Sequence, residues 1–391
     1  MTASPPTAPD RPPAPRPYTL LAEITYRCPL RCLYCSNPID FARAQAELTA
    51  AEWGRVFAEA AALGVVQVHL SGGEPAVRDD LGALVAHARA HRLYINLISG
   101  GTLLDEPRLE ALRAAGLDHV QLSIQDSAAA AAERVAGAPV HEKKIAVARL
   151  VAKLGLALTL NVVIHRFNIA RVDDLIRLAA DLGAHRLELA STQFYAWAME
   201  NRAALMPSAA QYAAAEATAR AAAERYRGRL EIAFVRNDYL TGEPKPCMGG
   251  WGRSIICVDP TGRVMPCQAA AVIPGLEFAN VRDLSLGEIW RGSSAINAFR
   301  GLAWMAEPCA SCPRKEIDFG GCRCQAFLLT GAARATDPAC RLAPDHAIVT
   351  ALCERATADE ADAALVYRDV RTSRKLTAAA IAGGGAPVRS N

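Results

Sequence analysis

Three thiols fall within eight residues of this chain, in the run Cys28-Pro-Leu-Arg-Cys32-Leu-Tyr-Cys35, and the next cysteine is Cys247. Thiolates are soft ligands that select iron in sulfur clusters, whereas a structural zinc site closes with four protein ligands. Three thiols alone hold three corners of a [4Fe–4S] cube and leave the fourth iron open to an outside ligand. Zinc knuckles also use short cysteine spacings, but in paired clips or with histidines, and no histidine lies near Cys28. A second run, Ser71-Gly72-Gly73-Glu74-Pro75, joins glycines that let backbone approach a ligand with a carboxylate able to receive a cation. A third set is spread over Cys247, Cys267, Cys309, Cys312, Cys322, Cys324 and Cys340. Cys257, on an apolar run, and Cys353, on a late helical stretch, read as small buried hydrophobes.

Groups so distant in sequence must be gathered by the fold. From Tyr18 to about Leu189, β-rich runs at Thr19–Tyr26, Val65–Leu70, Leu93–Ile98, His119–Ile124, Ala157–Ile164 and Arg186–Ala190 alternate with amphipathic helical stretches. Right-handed crossovers would curl six such parallel strands into a partial (β/α)6 barrel of the α/β class. Sites in barrels of this kind lie at the carboxyl ends of the strands. The early cysteines follow the first strand and the Gly-Gly-Glu-Pro run follows the second. Ser99, Ser123, Gln125, Asp126, Asn161 and Glu188 lie at or near the later strand ends, and His165, Arg166 and Asn168 point at the same mouth in roles left open. Ser208–Tyr226 reads as a long helix and Glu231–Val235 as a further strand. Beyond Pro244 the texture turns to Cys, Gly, Pro and Trp. The expected organisation is a Pro-rich extension over 1–17, the barrel and its following helix over 18–240, a cysteine-rich module over 241–350, and a C-terminal helix with a flexible tail over 351–391.

With 391 residues, 51% of them hydrophobic, the chain can bury a large core. Its net charge of +3 is scattered, so nothing calls for nucleic acid or a membrane surface. No run of 18 apolar residues occurs, and the seven prolines before Tyr18 argue against a secretory signal. A cytoplasmic protein follows, its 12 cysteines reduced and free to bind metal.

The spacing of three residues then two between the early cysteines, with Gly-Gly-Glu-Pro one βα unit later, resembles the radical S-adenosylmethionine (AdoMet) superfamily. The resemblance implies that AdoMet binds the open iron and that Gly72, Gly73 and Glu74 hold its methionine ammonium group. It also sets Tyr34 against the adenine and makes Ser123 and Asn161 candidates for the ribose or carboxylate. The later cysteines are similar to the SPASM module of peptide-modifying members, which holds two auxiliary iron–sulfur clusters. Its ligand order would place Cys247, Cys267, Cys322 and Cys324 at one cluster and Cys309, Cys312 and Cys340 at the other. Where that pattern has another cysteine, this chain has Asp318, which is a ligand, leaves a second open iron, or is a solvated acid.

The span from Tyr18 to Cys340 further resembles the family of pyrroloquinoline quinone (PQQ) biosynthesis. The resemblance rests on Gln121-Leu-Ser-Ile-Gln-Asp126, Phe194-Tyr195-Ala-Trp197, Asn201 to Pro207, and Glu316-Ile-Asp318-Phe-Gly-Gly-Cys322-Arg-Cys324-Gln-Ala. It implies a carbon–carbon crosslink between glutamate and tyrosine side chains of a precursor peptide (PqqA-type), a small peptide chaperone (PqqD-type) and a flavodoxin-like reductant. Tyr195 and Trp197 are candidates to line the peptide's entry. The alternatives are a sulfatase maturase, against which Asp318 and Cys322-Arg-Cys324 speak, a thioether-type crosslinker of a different peptide, and a non-enzymatic zinc or electron-transfer protein.

Overall fold

The computed structural model of the chain describes residues 14–41, 46–355 and 364–382. Residues 1–13 of the expected Pro-rich extension and the glycine run Gly383–Gly385 lie outside them. Six parallel strands, β1 (Thr19–Thr25), β2 (Gln67–Gly72), β3 (Tyr94–Ser99), β4 (His119–Ser123), β5 (Ala157–Ile164) and β6 (Arg186–Ser191), pair in sequence order. Between them run α1 (Ala50–Leu63), α2 (Leu81–Ala90), α3 (Glu106–Ala115), α4 (Ala129–Ala136), α5 (His141–Lys153) and α6 (Val172–Asp181). Local signals set several boundaries. Thr49 and Glu52 form a reciprocal capping box at the start of α1, and Gly64 closes that helix with φ +99°.

Strand periodicity separates two faces. Leu20, Ala22 and Ile24 of β1, Val68 and Leu70 of β2, and Leu158, Leu160 and Val162 of β5 are buried in the core beneath the helices. Residues of opposite parity, Glu23, His69, Asn96, Gln121, Thr159 and Asn161, face the inside of the arc. Parallel strands covered on both faces read as continuous apolar runs. Here the inner face is polar because it lines an open arc instead of a filled barrel.

The sheet does not stop at six strands. β7 (Glu231–Val235) adds to β6, and on the other edge β8 (Ile255–Val258) pairs in parallel with β1, followed by the antiparallel β9 (Val264–Met265). Hydrogen bonding of the sheet therefore crosses residue 240. Cys257 of β8 lies opposite Leu21 of β1 and is fully buried. A four-residue strand carries too little pattern to be read from sequence, and α4 is an alanine run with the same defect. The C-terminal stretch also departs from expectation: Arg368 and Ser373, in the tail expected to be flexible, are buried. Among the described residues, no helix is long and apolar enough to cross a membrane.

Candidate functional site

β1 ends at Thr25 and delivers the loop carrying Cys28, Cys32 and Cys35, whose three thiols are each half-buried. Burial and the neighbouring Cys32 push the Cys28 thiol up to about 12, and burial takes Cys35 to about 11. Such thiols stay protonated until a metal displaces the proton. The loop is pinned by main-chain bonds, Arg31 N–H to the Ala136 carbonyl and Leu33 N–H to that of Val135 (2.9 and 3.2 Å), so α4 supports it from below.

β2 brings the glycines alongside. Gly72 has φ +122°, and a Cβ there would stand 2.2 Å from the Thr25 carbonyl oxygen; at Gly73 it would stand 2.4 Å from that of Arg27. This cradle admits no side chain. Glu74 is fully buried and its carboxylate is spoken for: Oε1 accepts from Ser99 Oγ (2.7 Å) and Ala76 N–H (3.0 Å), Oε2 from Gly100 N–H (2.8 Å). Its side chain braces the loop from inside.

Ser123 and Asn161 are register partners on β4 and β5, so they share the inner face at the same height. Asn161 Oδ1 is buried with no partner, an orphan that a ligand donor would satisfy. Tyr34 accepts a hydrogen bond from Gln125 Nε2 (3.0 Å), its ring 5.7 Å from that of His165. Burial pushes the His165 imidazole down to about 3, so it is neutral. Asn168 ties His165 N–H to the Gln125 and Val163 carbonyls, and Asp126 holds Arg171. These groups rivet loops together.

The later cysteines form two sets. Cys247 donates to Cys322, while Cys324 shares hydrogen bonds with Cys267 and Cys322; the donated bonds hold the Cys322 thiol well below its ordinary value. Cys309, Cys312, Asp318 and Cys340 line a separate cavity with Lys315 and Thr336. Asp318 is buried, and its Oδ1 accepts from Gly320 N–H at 2.9 Å. Tyr195 faces the first set, its hydroxyl bound by Gln268 Nε2 at 3.3 Å. Trp197 is fully buried against Phe41 and lines no opening.

Two site groups escaped the sequence. Lys144 of α5 is buried, donates to the Gln125 Oε1 (2.6 Å) and the Ser123 carbonyl (3.2 Å), and burial lowers its pKa against the pull of Cys32 and Glu74. Glu23 of β1 is buried, accepts from the Tyr26 hydroxyl at 3.0 Å, and burial raises its carboxyl to about 7. A single lysine in a helix or a glutamate in a strand carries no local sign of burial. Donor chemistry, glycine cradle and the orphaned Asn161 oxygen together fit an iron–sulfur cluster with AdoMet beside it.

Comparison with known proteins agrees with this geometry. Residues 22–179 match the model of the radical SAM superfamily, and residues 247–313 match that of an iron–sulfur cluster-binding domain. The chain is 55% identical to the PqqA peptide cyclase of Methylocella silvestris, over 91% of this chain and 96% of that protein. It is 54% identical to that of Gluconobacter oxydans, over 84% and 92%. Among solved structures, SuiB of Streptococcus suis bound to S-adenosylmethionine superposes with TM-score 0.70 at 17% identity, covering 83% of this chain and 77% of that one. The structure of anSMEcpe with bound AdoMet gives a TM-score of 0.60 at 17% identity, covering 87% of this chain and 96% of that one.

Proposed function

The chain belongs to the PqqA peptide cyclases of the radical AdoMet superfamily, and on that premise we propose that it crosslinks glutamate and tyrosine side chains of a PqqA precursor peptide in PQQ biosynthesis. The observation that carries the reading is the pairing, in one molecule, of three half-buried thiols beside a glycine cradle with two further thiol sets. A cluster and AdoMet held at the first thiols would supply the radical chemistry needed to activate an unactivated C–H bond. The protein's part is placement. Cys28, Cys32 and Cys35 would hold the cluster. Gly72 and Gly73 let the backbone reach the methionine ammonium group, with Glu74 fixing their loop. Lys144 offers a buried cation to a carboxylate, Asn161 and Ser123 offer hydrogen-bond groups to carboxylate or ribose, and Tyr34 offers an apolar face to the adenine.

In this reading the barrel spans 18–240 and the module for two auxiliary clusters spans 241–350. Cys247, Cys267, Cys322 and Cys324 hold one cluster; Cys309, Cys312, Cys340 and the Asp318 carboxylate hold the other. Carboxylate is a harder ligand than thiolate, so it tunes that cluster's potential. Asp318→Ala is expected to keep AdoMet cleavage while altering only the spectrum of the second auxiliary cluster. Identical electron paramagnetic resonance (EPR) spectra of the two proteins would remove Asp318 from the ligand set. A PqqD-type chaperone delivers the peptide and a flavodoxin-like protein supplies electrons in a reducing, cytoplasmic setting.

The test is direct. The anaerobically reconstituted chain, incubated with PqqA peptide, a PqqD-type chaperone, AdoMet and reductant, is expected to convert the peptide to a product lighter by two hydrogens. Fragmentation should place the loss between the glutamate and tyrosine. An unchanged mass alongside continued 5′-deoxyadenosine formation would refute the crosslink.

A further inference from the structure

The C-terminal segment returns to the first cysteine loop. Residues 364–369 lead into a helix, Val370–Ala382, and its contacts converge on the loop after β1. Asn201 is the rivet. Its Nδ2 donates to the carbonyls of Leu33 (2.9 Å), between Cys32 and Tyr34, and of Val366 (2.8 Å), while its Oδ1 accepts from Val366 N–H (2.8 Å). The Tyr367 hydroxyl donates to the Arg134 carbonyl at 2.9 Å, and Ser373 Oγ donates to the Ile39 carbonyl.

Between these anchors Arg368 is driven into the protein, only 3% exposed. One of its Nη atoms donates to the Tyr26 carbonyl, its guanidinium lies 3.9 Å from the centroid of the Phe41 ring, and its Nε is buried with no partner. It forms no ion pair among the described residues. A buried cation without a counter-ion is strongly disfavoured, and a cation–π contact to Phe41 compensates only part of that. The Tyr26 carbonyl that it binds lies two residues before Cys28, and Asn201 fastens the same segment to Leu33 between Cys32 and Tyr34, so the guanidinium is set against the loop of Cys28, Cys32 and Cys35. Lys144, the other cation near these thiols, has the buried Glu74 beside it.

We propose that Arg368, carried by the C-terminal segment, is the counter-charge of the cluster held by Cys28, Cys32 and Cys35. The inference rests on the reading that these thiols hold a cluster. A fixed positive charge stabilises the more negative, reduced state of the cluster and so raises its midpoint. It also gives the C-terminal segment a function in cluster chemistry, although it lies more than 330 residues from Cys35 in sequence.

EPR-monitored redox titration of the reconstituted full chain tests this, with Arg368→Gln and Arg368→Lys beside the unchanged protein. In Arg368→Gln the first cluster's reduced-to-oxidised ratio at fixed poise is expected to fall about tenfold, which for a one-electron couple is about 59 mV more negative. The auxiliary clusters should not move, and Arg368→Lys, which keeps the charge, should stay near the original midpoint. If Arg368→Gln fails to retain the first cluster while Arg368→Lys retains it at that midpoint, the charge assignment also stands. An unmoved midpoint in a loaded Arg368→Gln, or a Lys variant that behaves as the Gln variant does, overturns it. Absence of any reducible cluster in the unchanged protein would instead overturn the underlying reading.

Discussion

Alanine at Cys28, Cys32 and Cys35 together is expected to reduce 5′-deoxyadenosine formation to background, a loss of about a million-fold or more, the usual lower bound of enzymatic acceleration. Such a loss follows from ligand count. The three thiols lie on one loop, each half-buried and each pushed up by burial, so together they offer a desolvated, soft ligand set that no other residue of that loop can replace. The later thiols are separate, hydrogen-bonded among themselves or lining their own cavity. Iron analysis of the triple variant should therefore fall by about four atoms per chain and no further. Chromatography of 5′-deoxyadenosine gives the decisive reading, and retained cleavage would separate the loop from the cofactor's chemistry.

Gly72→Ala is the second large effect. Its φ of +122° disfavours any L-residue by about 1–2 kcal/mol. The new methyl would also stand 2.2 Å from the Thr25 carbonyl, which is backbone and cannot rotate away. Relief requires the β1–β2 junction to separate, displacing the loop that Glu74 fixes through Ser99 and Gly100. With overpacking adding about 1–3 kcal/mol, AdoMet affinity is expected to weaken about a hundredfold at about 1.4 kcal/mol per decade. Equilibrium binding of AdoMet to the reconstituted protein measures it. Gly82→Ala on α2 is the control, since a Cβ there meets nothing within 4 Å and alanine favours the helix. If the two variants bind AdoMet alike, the cradle is not part of the site.

The sites differ in how far their residues lie apart along the chain. The Cys28–Cys35 loop and the Gly-Gly-Glu-Pro run each occupy a few residues, and each sits at the carboxyl end of a strand that strong alternation marks. The strands Ala157–Ile164 and Glu231–Val235 fall where the pattern puts them. The β8 strand behaves oppositely. Its four residues are apolar, and only their partner β1 makes them a strand of the same sheet. Trp197, expected at an opening by its aromatic chemistry, is instead enclosed, because a large apolar ring gains more from burial than from lining a wet entrance.

By itself the sequence determined the ligand chemistry and the strand order, because thiol spacing, paired glycines and side-chain alternation are properties of neighbouring residues. Tertiary structure alone decided that Glu74 turns inward, and that Lys144 and Arg368 arrive from a helix and from the distant C-terminal segment to stand near the loop of the first thiols. A lysine or arginine bound for solvent and one bound for the interior look the same locally. Only the packing around them removes water and gives their charge a partner to act on.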